Sequence, residues 1–176
     1  MEIRVSNEKF KSGVLCTKVF DGEVRGPLTL IIDQGFSAEI FEDSESYDSY
    51  AAGTHELKKA LNRRTIQLYA KRDDDQLILF GLRVPNKCII NGQYEVSINS
   101  LSRIRNIDMY TGNSITDDAV RDKFNKIIQK LIEKCDMGSC NTPETMGEYI
   151  KNNITQELNN NGLSLKILVV NYLEKI

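Results

Sequence analysis

The chain has 176 residues, of which 40% are hydrophobic and 27% are charged, a composition that suits one folded domain with its own core. The 23 Lys and Arg nearly balance the 25 Asp and Glu, so the net charge is only -2. This balance disfavours a protein dedicated to nucleic acid, which needs clustered positive charge, and we expect no nucleic-acid partner. The single histidine, His55, excludes His-rich metal sites and the HExxH motif.

The cysteines and the hydropathy of the chain bear on its location. The cysteines are Cys16, Cys88, Cys135 and Cys140. They occur without a secretory signal, so we expect reduced thiols in an intracellular protein. The most apolar run, at residues 165–170, is much shorter than the roughly 20 residues of a membrane-spanning helix. We therefore expect a cytoplasmic protein that contacts a membrane peripherally, on its inner face, or through a partner.

The first half of the chain has the short apolar segments and turn residues that are typical of β-strands. Leu28–Ile32 and residues 36–40 flank turn residues at 33–35, so the pattern predicts a hairpin there. A further extended segment is predicted at residues 47–51, ending before Gly53.

Three consecutive aspartates, at residues 73–75, lie between predicted strands at 65–69 and 77–80. Carboxylates are calcium ligands, but the segment lacks the glycine and the distal glutamate of an EF-hand loop. We therefore interpret it as the polar tip of a hairpin. Asn91 and Gly92 predict a second hairpin, with a two-residue turn.

Capping residues and apolar spacing predict two helices in the second half. Thr116 is the expected N-cap of the first, and Thr142 followed by Pro143 begins the second. Gly162 is expected to close the second helix. Residues 163–173 then predict a strand that is apolar on both faces, which we expect to lie inside the structure. Because the sequence stops directly after this strand, we expect a domain cut from a longer protein.

The residues that could carry chemistry are few. Cys135 and Cys140 could begin a zinc site, but a structural site needs four ligands, so incidental thiols are the simpler interpretation. For Cys16 and Cys88 we expect small buried apolar side chains. His55 could pair with a cysteine as a nucleophilic dyad, although an ordinary polar role in a turn is favoured. We name no catalytic, cofactor-binding or metal-binding residue and expect no cofactor.

The first predicted helix also carries a row of lysines, Lys123, Lys126, Lys130 and Lys134. Such a row can contact acidic lipid headgroups or a partner. Asp122 and Glu133 share the surface of this helix and dilute its charge, so the pattern favours a solvated face.

Four stretches of the sequence resemble the SPFH or band 7 domain of stomatin, prohibitin and flotillin. Residues 28–41 are similar to the family's opening pair of apolar strands around a Gln. Residues 53–57 are similar to its Pro-Gly-x-x-x-Leu element, with Ala52 in place of the proline. Residues 91–98 are similar to its Gly-x-Tyr-x-Val-x-Ile strand. Residues 146–165 are similar to its last helix and following strand, with Asn161 replacing a tyrosine.

The resemblance is closest to the soluble bacterial "virion core protein" branch of the family and covers residues 28–176, preceded by residues 1–27 as an N-terminal extension or first strand. It implies an α+β fold, a curved antiparallel sheet with two main helices packed on it and a buried C-terminal strand. The sequence lacks the N-terminal anchor of membrane-bound members and the long helical region and zinc ribbon that commonly follow in the bacterial branch.

The function that this resemblance implies is a non-catalytic oligomerisation and interaction domain of a membrane-associated scaffold. Such scaffolds organise membrane regions or regulate membrane proteins such as proteases, and they form homo-oligomers through this domain and a helical region. One alternative from the residues is a soluble ligand- or peptide-binding module that uses an exposed sheet edge. Another is a hydrolase that uses a cysteine and His55.

Overall fold

A computed structural model of the chain describes residues 1–42, 45–57, 64–104 and 113–176. In chain order its elements are β1 (Glu2–Val5), β2 (Val14–Val24), β3 (Leu28–Ile32), β4 (Phe36–Glu42), β5 (Glu45–Tyr50), β6 (Gly53–Leu57), β7 (Arg64–Arg72), β8 (Gln76–Val84), β9 (Cys88–Ile98), α1 (Leu101–Ile104), β10 (Ser114–Thr116), α2 (Asp117–Lys134), α3 (Pro143–Asn160) and β11 (Leu163–Lys175). The predicted α+β class is confirmed.

Within the described residues, the strands form three sheets rather than one. A three-stranded sheet in the order β1-β3-β6 lies against a five-stranded sheet in the order β10-β2-β7-β4-β5. The third sheet, in the order β11-β9-β8, is antiparallel and packs against α2 and α3. Residues 1–27 contribute strands to two of these sheets, since β1 pairs with β3 in parallel and β2 pairs with β7.

The five-stranded sheet connects two apolar cores because its strands bury side chains on both faces. Ile66 and Leu68 of β7 point into the core between the first two sheets. Tyr69 of the same strand, with Leu15 and Phe41 from its neighbours, belongs to the core that the helices cover. The five-stranded sheet is therefore a layer shared by both cores: the β1-β3-β6 sheet packs on one of its faces, and the third sheet with its helices packs on the other.

The predicted hairpin at residues 28–40 is wrong, because β3 and β4 lie in different sheets. Gly35, with a φ of 90°, turns the chain so that the two strands face each other across a core instead of pairing edge to edge. Both strands bury every second residue in that core, including Leu30 and Ile40. Alternation alone cannot distinguish the two arrangements, since each has one buried face per strand.

The hairpin turns predicted at residues 73–75 and at Asn91 and Gly92 are also wrong. Residues 73–75 connect β7 to β8 in another sheet, and Asp73 accepts hydrogen bonds from Ser37 Oγ at 2.6 Å and Lys71 Nζ at 2.8 Å. Asn91 and Gly92 lie inside β9, and the turn before this strand is at residues 85–87, where Asn86 has a φ of 60°.

The predicted helices are confirmed, including their first residues. Thr116 Oγ1 accepts a hydrogen bond from the backbone N–H of Ala119 at 3.2 Å and caps α2. At α3, Thr142 and Thr145 form a reciprocal capping box on either side of Pro143, with distances of 3.2 and 3.1 Å. Each cap is worth about 1 kcal/mol. Gly162 follows α3 with a φ of 87°, as expected of a residue that ends a helix.

The prediction of a buried C-terminal strand is wrong. The strand forms as β11, but it lies at an edge of its sheet, and only Leu163, Leu168 and Val170 are buried. The helices cover one face of this sheet and leave the other face open, so the second apolar face of β11 is exposed.

Candidate functional site

The uncovered face of the β11-β9-β8 sheet has a concentration of exposed apolar side chains. The large apolar residues that are exposed in the described chain are Met1, Leu77, Leu79, Ile167, Val169, Tyr172 and Ile176. All except Met1 and Ile176 lie on β8 or β11. We call the surface formed by Leu77, Leu79, Ile167, Val169 and Tyr172 the outer face.

The strand register arranges the outer face in rows. Leu77 and Ile167 flank Glu95 of the central strand, and in the next row Leu79 and Val169 flank Gln93. Each row thus has an apolar residue on both edge strands and a polar residue between them. Cross-strand neighbours of this kind lie about 5 Å apart, so the rows form one surface.

The two edges of this sheet differ. At β8, the side chain of Arg121 from α2 donates from Nε to the carbonyl oxygen of Leu79 at 2.6 Å, which occupies a backbone acceptor. At β11, no residue of the described ranges pairs with the outer edge. Register shifts between Leu165 and Ile167 and between Val170 and Tyr172 leave a short regular segment between them. An unpaired edge is a template for another strand, and bulges restrict the length that can pair.

The sequence carries a signal for the outer face. Residues 77–80 and 167–170 are continuously apolar, which is typical of strands with both faces covered. This pattern predicts that the rest of the chain covers the second face. Among the described residues, no element covers this second face. The same pattern is equally typical of a strand that another molecule covers.

Beneath the sheet, an aromatic cluster fixes α2 to β9. The rings of Tyr94 and Phe124 stack with centroids 3.8 Å apart, and Phe80 lies 5.7 Å from Phe124. Tyr94 is fully buried, and its hydroxyl has no hydrogen-bond partner among the described residues. Burial raises the pKa of Tyr94 well above its ordinary value. The hydroxyl therefore stays protonated and carries the cost of an unsatisfied buried group.

Replacing Tyr94 with phenylalanine should leave the free energy of unfolding unchanged or raise it by up to about 1 kcal/mol, because it removes this unsatisfied hydroxyl. Tyr149→Phe is the matched control: its hydroxyl donates to the carbonyl oxygen of Leu131 at 3.0 Å, and its loss should cost about 1 kcal/mol. Urea denaturation followed by circular dichroism measures both. A larger loss for Tyr94→Phe than for Tyr149→Phe would contradict the assignment.

The structure buries all the cysteines within the core that the helices cover. The expectation that Cys16 and Cys88 are small buried side chains is confirmed. Cys135 lies near Cys88 and Cys140, and burial, reinforced by the Cys140 thiol, raises the pKa of Cys135. Its Sγ donates to Met137 Sδ at 3.5 Å. No group of three or more His, Cys, Asp or Glu suited to a metal occurs in the described residues. Burial also raises the pKa of Cys88, and the thiols of Cys88 and Cys135 are therefore poor nucleophiles.

The structure places His55 on β6, in a sheet whose residues belong to the other core. Its Nε2 lies 2.8 Å from the carbonyl oxygen of Ala51, and its ring packs 5.1 Å from that of Tyr50. These contacts hold the ring locally, and no hydrogen bond joins it to a cysteine in the part of the chain that is described. The predicted alternative of a Cys and His55 dyad is not formed.

Comparison of the chain with protein-family models and with curated proteins gives no significant match. In the ranges that the structure describes, no helix is both long enough and apolar enough to cross a membrane.

Proposed function

We propose that this chain is a non-catalytic oligomerisation and interaction domain, in which the outer face and the open edge of β11 bind a second copy of the chain. The observation that carries the proposal is the exposure of Leu77, Leu79, Ile167, Val169 and Tyr172 on one surface. A row of large apolar side chains on one face is the usual property of a protein interaction surface.

The energy of such a contact decides how stable a complex it can form. Burying a large apolar side chain completely contributes about 1.5–3 kcal/mol, and these side chains are already about half covered. Covering part of the outer face therefore supplies a few kcal/mol in addition to the backbone pairing of the edge, against an association cost of about 4–15 kcal/mol. On these terms the face alone supports a weak dimer, and stable larger assemblies need additional contacts.

A second copy is the favoured occupant because the open edge and the outer face are adjacent. Antiparallel pairing of two β11 strands centred on Leu168 would place Ile167 of one copy opposite Val169 of the other. Each Ile167 would then contact Val169 of the other copy, so the pairing covers the part of the outer face that lies next to the joined edges. Contacts of this isologous kind are the commonest basis of homo-oligomers.

The wider role in this proposal is that of an SPFH or band 7-like scaffold. It would assemble in the cytoplasm at the inner face of a membrane and organise membrane regions or regulate membrane proteins such as proteases. The resemblance in residues 28–176 supports this part, and the exposed sheet supports self-association.

The test is the mass of the protein in solution as a function of concentration. Ile167→Glu with Val169→Glu places two carboxylates on the outer face, and we expect at least a tenfold weaker self-association, since the carboxylates of the two copies would lie opposite each other and repel, and a tenfold change corresponds to only about 1.4 kcal/mol. Multi-angle light scattering measures the mass. Asn152→Glu with Gln156→Glu adds the same charge at exposed positions of α3 and should leave association unchanged.

A wild-type chain that remains monomeric at high micromolar concentration would refute self-association through this face. The alternative function is then peptide binding, for which the open edge of β11 is the specific observation. In that case, a monomer should bind extended peptides saturably, and the Ile167→Glu and Val169→Glu pair should weaken this binding.

A further inference from the structure

A second surface, independent of the outer face, lies between α2 and α3. Lys123, Lys126, Lys130 and Lys134 of α2 border a groove of about 290 Å³, whose remaining lining includes Ile127 and Leu131. Among the described residues that line the groove, Glu157 of α3 is the only acidic one. The groove therefore has basic walls and an apolar floor.

The helical geometry of α2 places its lysines between the inward-packing apolar residues and two acids. The four lysines recur at intervals of three or four and so share one side of the helix, next to the apolar residues that pack inward. Asp122 and Glu133 do not line the groove. Asp122 lies four residues before Lys126 and Glu133 lies three residues after Lys130, so both acids are beside the lysines on the outward side of the helix and outside the groove lining.

None of the four ammonium groups lies within 4 Å of a carboxylate in the described residues, in contrast to Lys18 and Lys71, which form ion pairs at 2.8 Å. The chain as a whole has a net charge of -2, so this local concentration of positive charge is not a consequence of a basic composition. Four unpaired cations around a concave surface raise the local concentration of anions.

We propose that this groove binds a small group that carries two or more phosphates. Lysine side chains are flexible point charges with three donors each, and they suit phosphate oxygens that lie in several directions. The groove volume is close to the lower end of the range for small-molecule pockets, about 300 Å³, so it suits a headgroup rather than a folded partner. The floor formed by Ile127 and Leu131 would contact a sugar ring or an inositol ring.

The phosphates could belong to a soluble molecule or to a lipid headgroup, and the experiment distinguishes the two. Inositol trisphosphate is the soluble probe, in calorimetric titration. Phosphatidylcholine vesicles with a minor fraction of phosphatidylinositol bisphosphate are the lipid probe, in flotation. The proposal predicts saturable binding of inositol trisphosphate with an affinity that falls as salt is added, since the interaction is between exposed charges.

Variants locate the site. Lys126→Glu with Lys130→Glu should reduce the affinity for inositol trisphosphate more than tenfold. Lys9→Glu with Lys151→Glu changes the net charge equally at exposed positions outside the groove and should have little effect. Glu157→Gln removes the carboxylate of the groove and should tighten binding by about two- to fivefold. A gain of affinity cannot result from misfolding.

The outcomes are distinct. Inositol trisphosphate binding that depends on Lys126 and Lys130, with vesicle flotation, assigns a lipid headgroup. The same binding without flotation assigns a soluble phosphorylated ligand. Absence of inositol trisphosphate binding overturns the proposal, whether or not vesicles bind, and so does binding that the two lysine pairs reduce equally. None of these results depends on self-association through the outer face.

Discussion

Replacing Gly92 with alanine should lower the free energy of unfolding by about 3 kcal/mol or more. A Cβ atom at this position would lie 2.2 Å from the carbonyl oxygen of Val169 and 2.9 Å from the ring of Phe80. The carbonyl belongs to the backbone of β11, so it cannot move without separating β11 from β9. The ring of Phe80 is in the aromatic cluster under the sheet, so relief in that direction disturbs the packing of α2.

Gly81→Ala is the control for this variant, because Gly81 lies in the adjacent strand of the same sheet. A Cβ atom there would be 3.6 Å from its nearest neighbour, in ordinary contact. Gly81→Ala should therefore be neutral or slightly stabilising, through the lower entropy of the unfolded chain. Urea denaturation of both variants measures the difference. Equal stabilities for the two variants would show that β11 can shift away from Gly92 at little cost.

Gly92 also shows why several turns could not be predicted from the sequence. An Asn-Gly pair between apolar segments is a strong local signal for a hairpin, and Asn91 and Gly92 fit it. In the structure the glycine is needed because β11, more than 70 residues later in the chain, approaches it closely. The same Asn-Gly pair suits a tight turn and a close approach of two strands, and only the tertiary structure determines which of the two forms.

The helices could be predicted because their signals are local. Thr116, Thr142 and Pro143 act on backbone groups within the first turn, so the same residues specify the start of a helix in any tertiary setting. Strand pairing is a long-range property. β3 and β4 are adjacent in sequence but belong to different sheets, while β2 pairs with β7.

The candidate surfaces could be predicted in composition but not in position. The four lysines of α2 and the apolar residues of β11 stand out in the sequence. Whether an apolar face is covered depends on the number of layers, and the helices cover only one side of the third sheet. Whether lysines are diluted by nearby acids depends on which side of α2 faces α3. Both are questions of packing, which periodicity within one element does not answer.

Replacing Phe124 with alanine should lower the free energy of unfolding by about 3–5 kcal/mol, the usual cost of removing a buried phenylalanine. Phe124 is fully buried and stacks on Tyr94 with ring centroids 3.8 Å apart. The cavity would lie between α2 and the third sheet, so we expect partial separation of these two layers. Phe124→Leu retains most of the volume and should cost about 1–1.5 kcal/mol.

The comparison of these two variants tests the part of Phe124 in supporting both candidate surfaces. Because α2 carries the lysines and the third sheet carries the outer face, Phe124→Ala should weaken self-association and inositol trisphosphate binding together, at temperatures below its own unfolding transition. Phe124→Leu should preserve both.

Tyr94→Leu combined with Phe124→Leu should show a coupling energy of about 0.5–1.5 kcal/mol, as expected of a stacked aromatic pair. Strict additivity in this cycle would mean that the stack contributes only apolar burial.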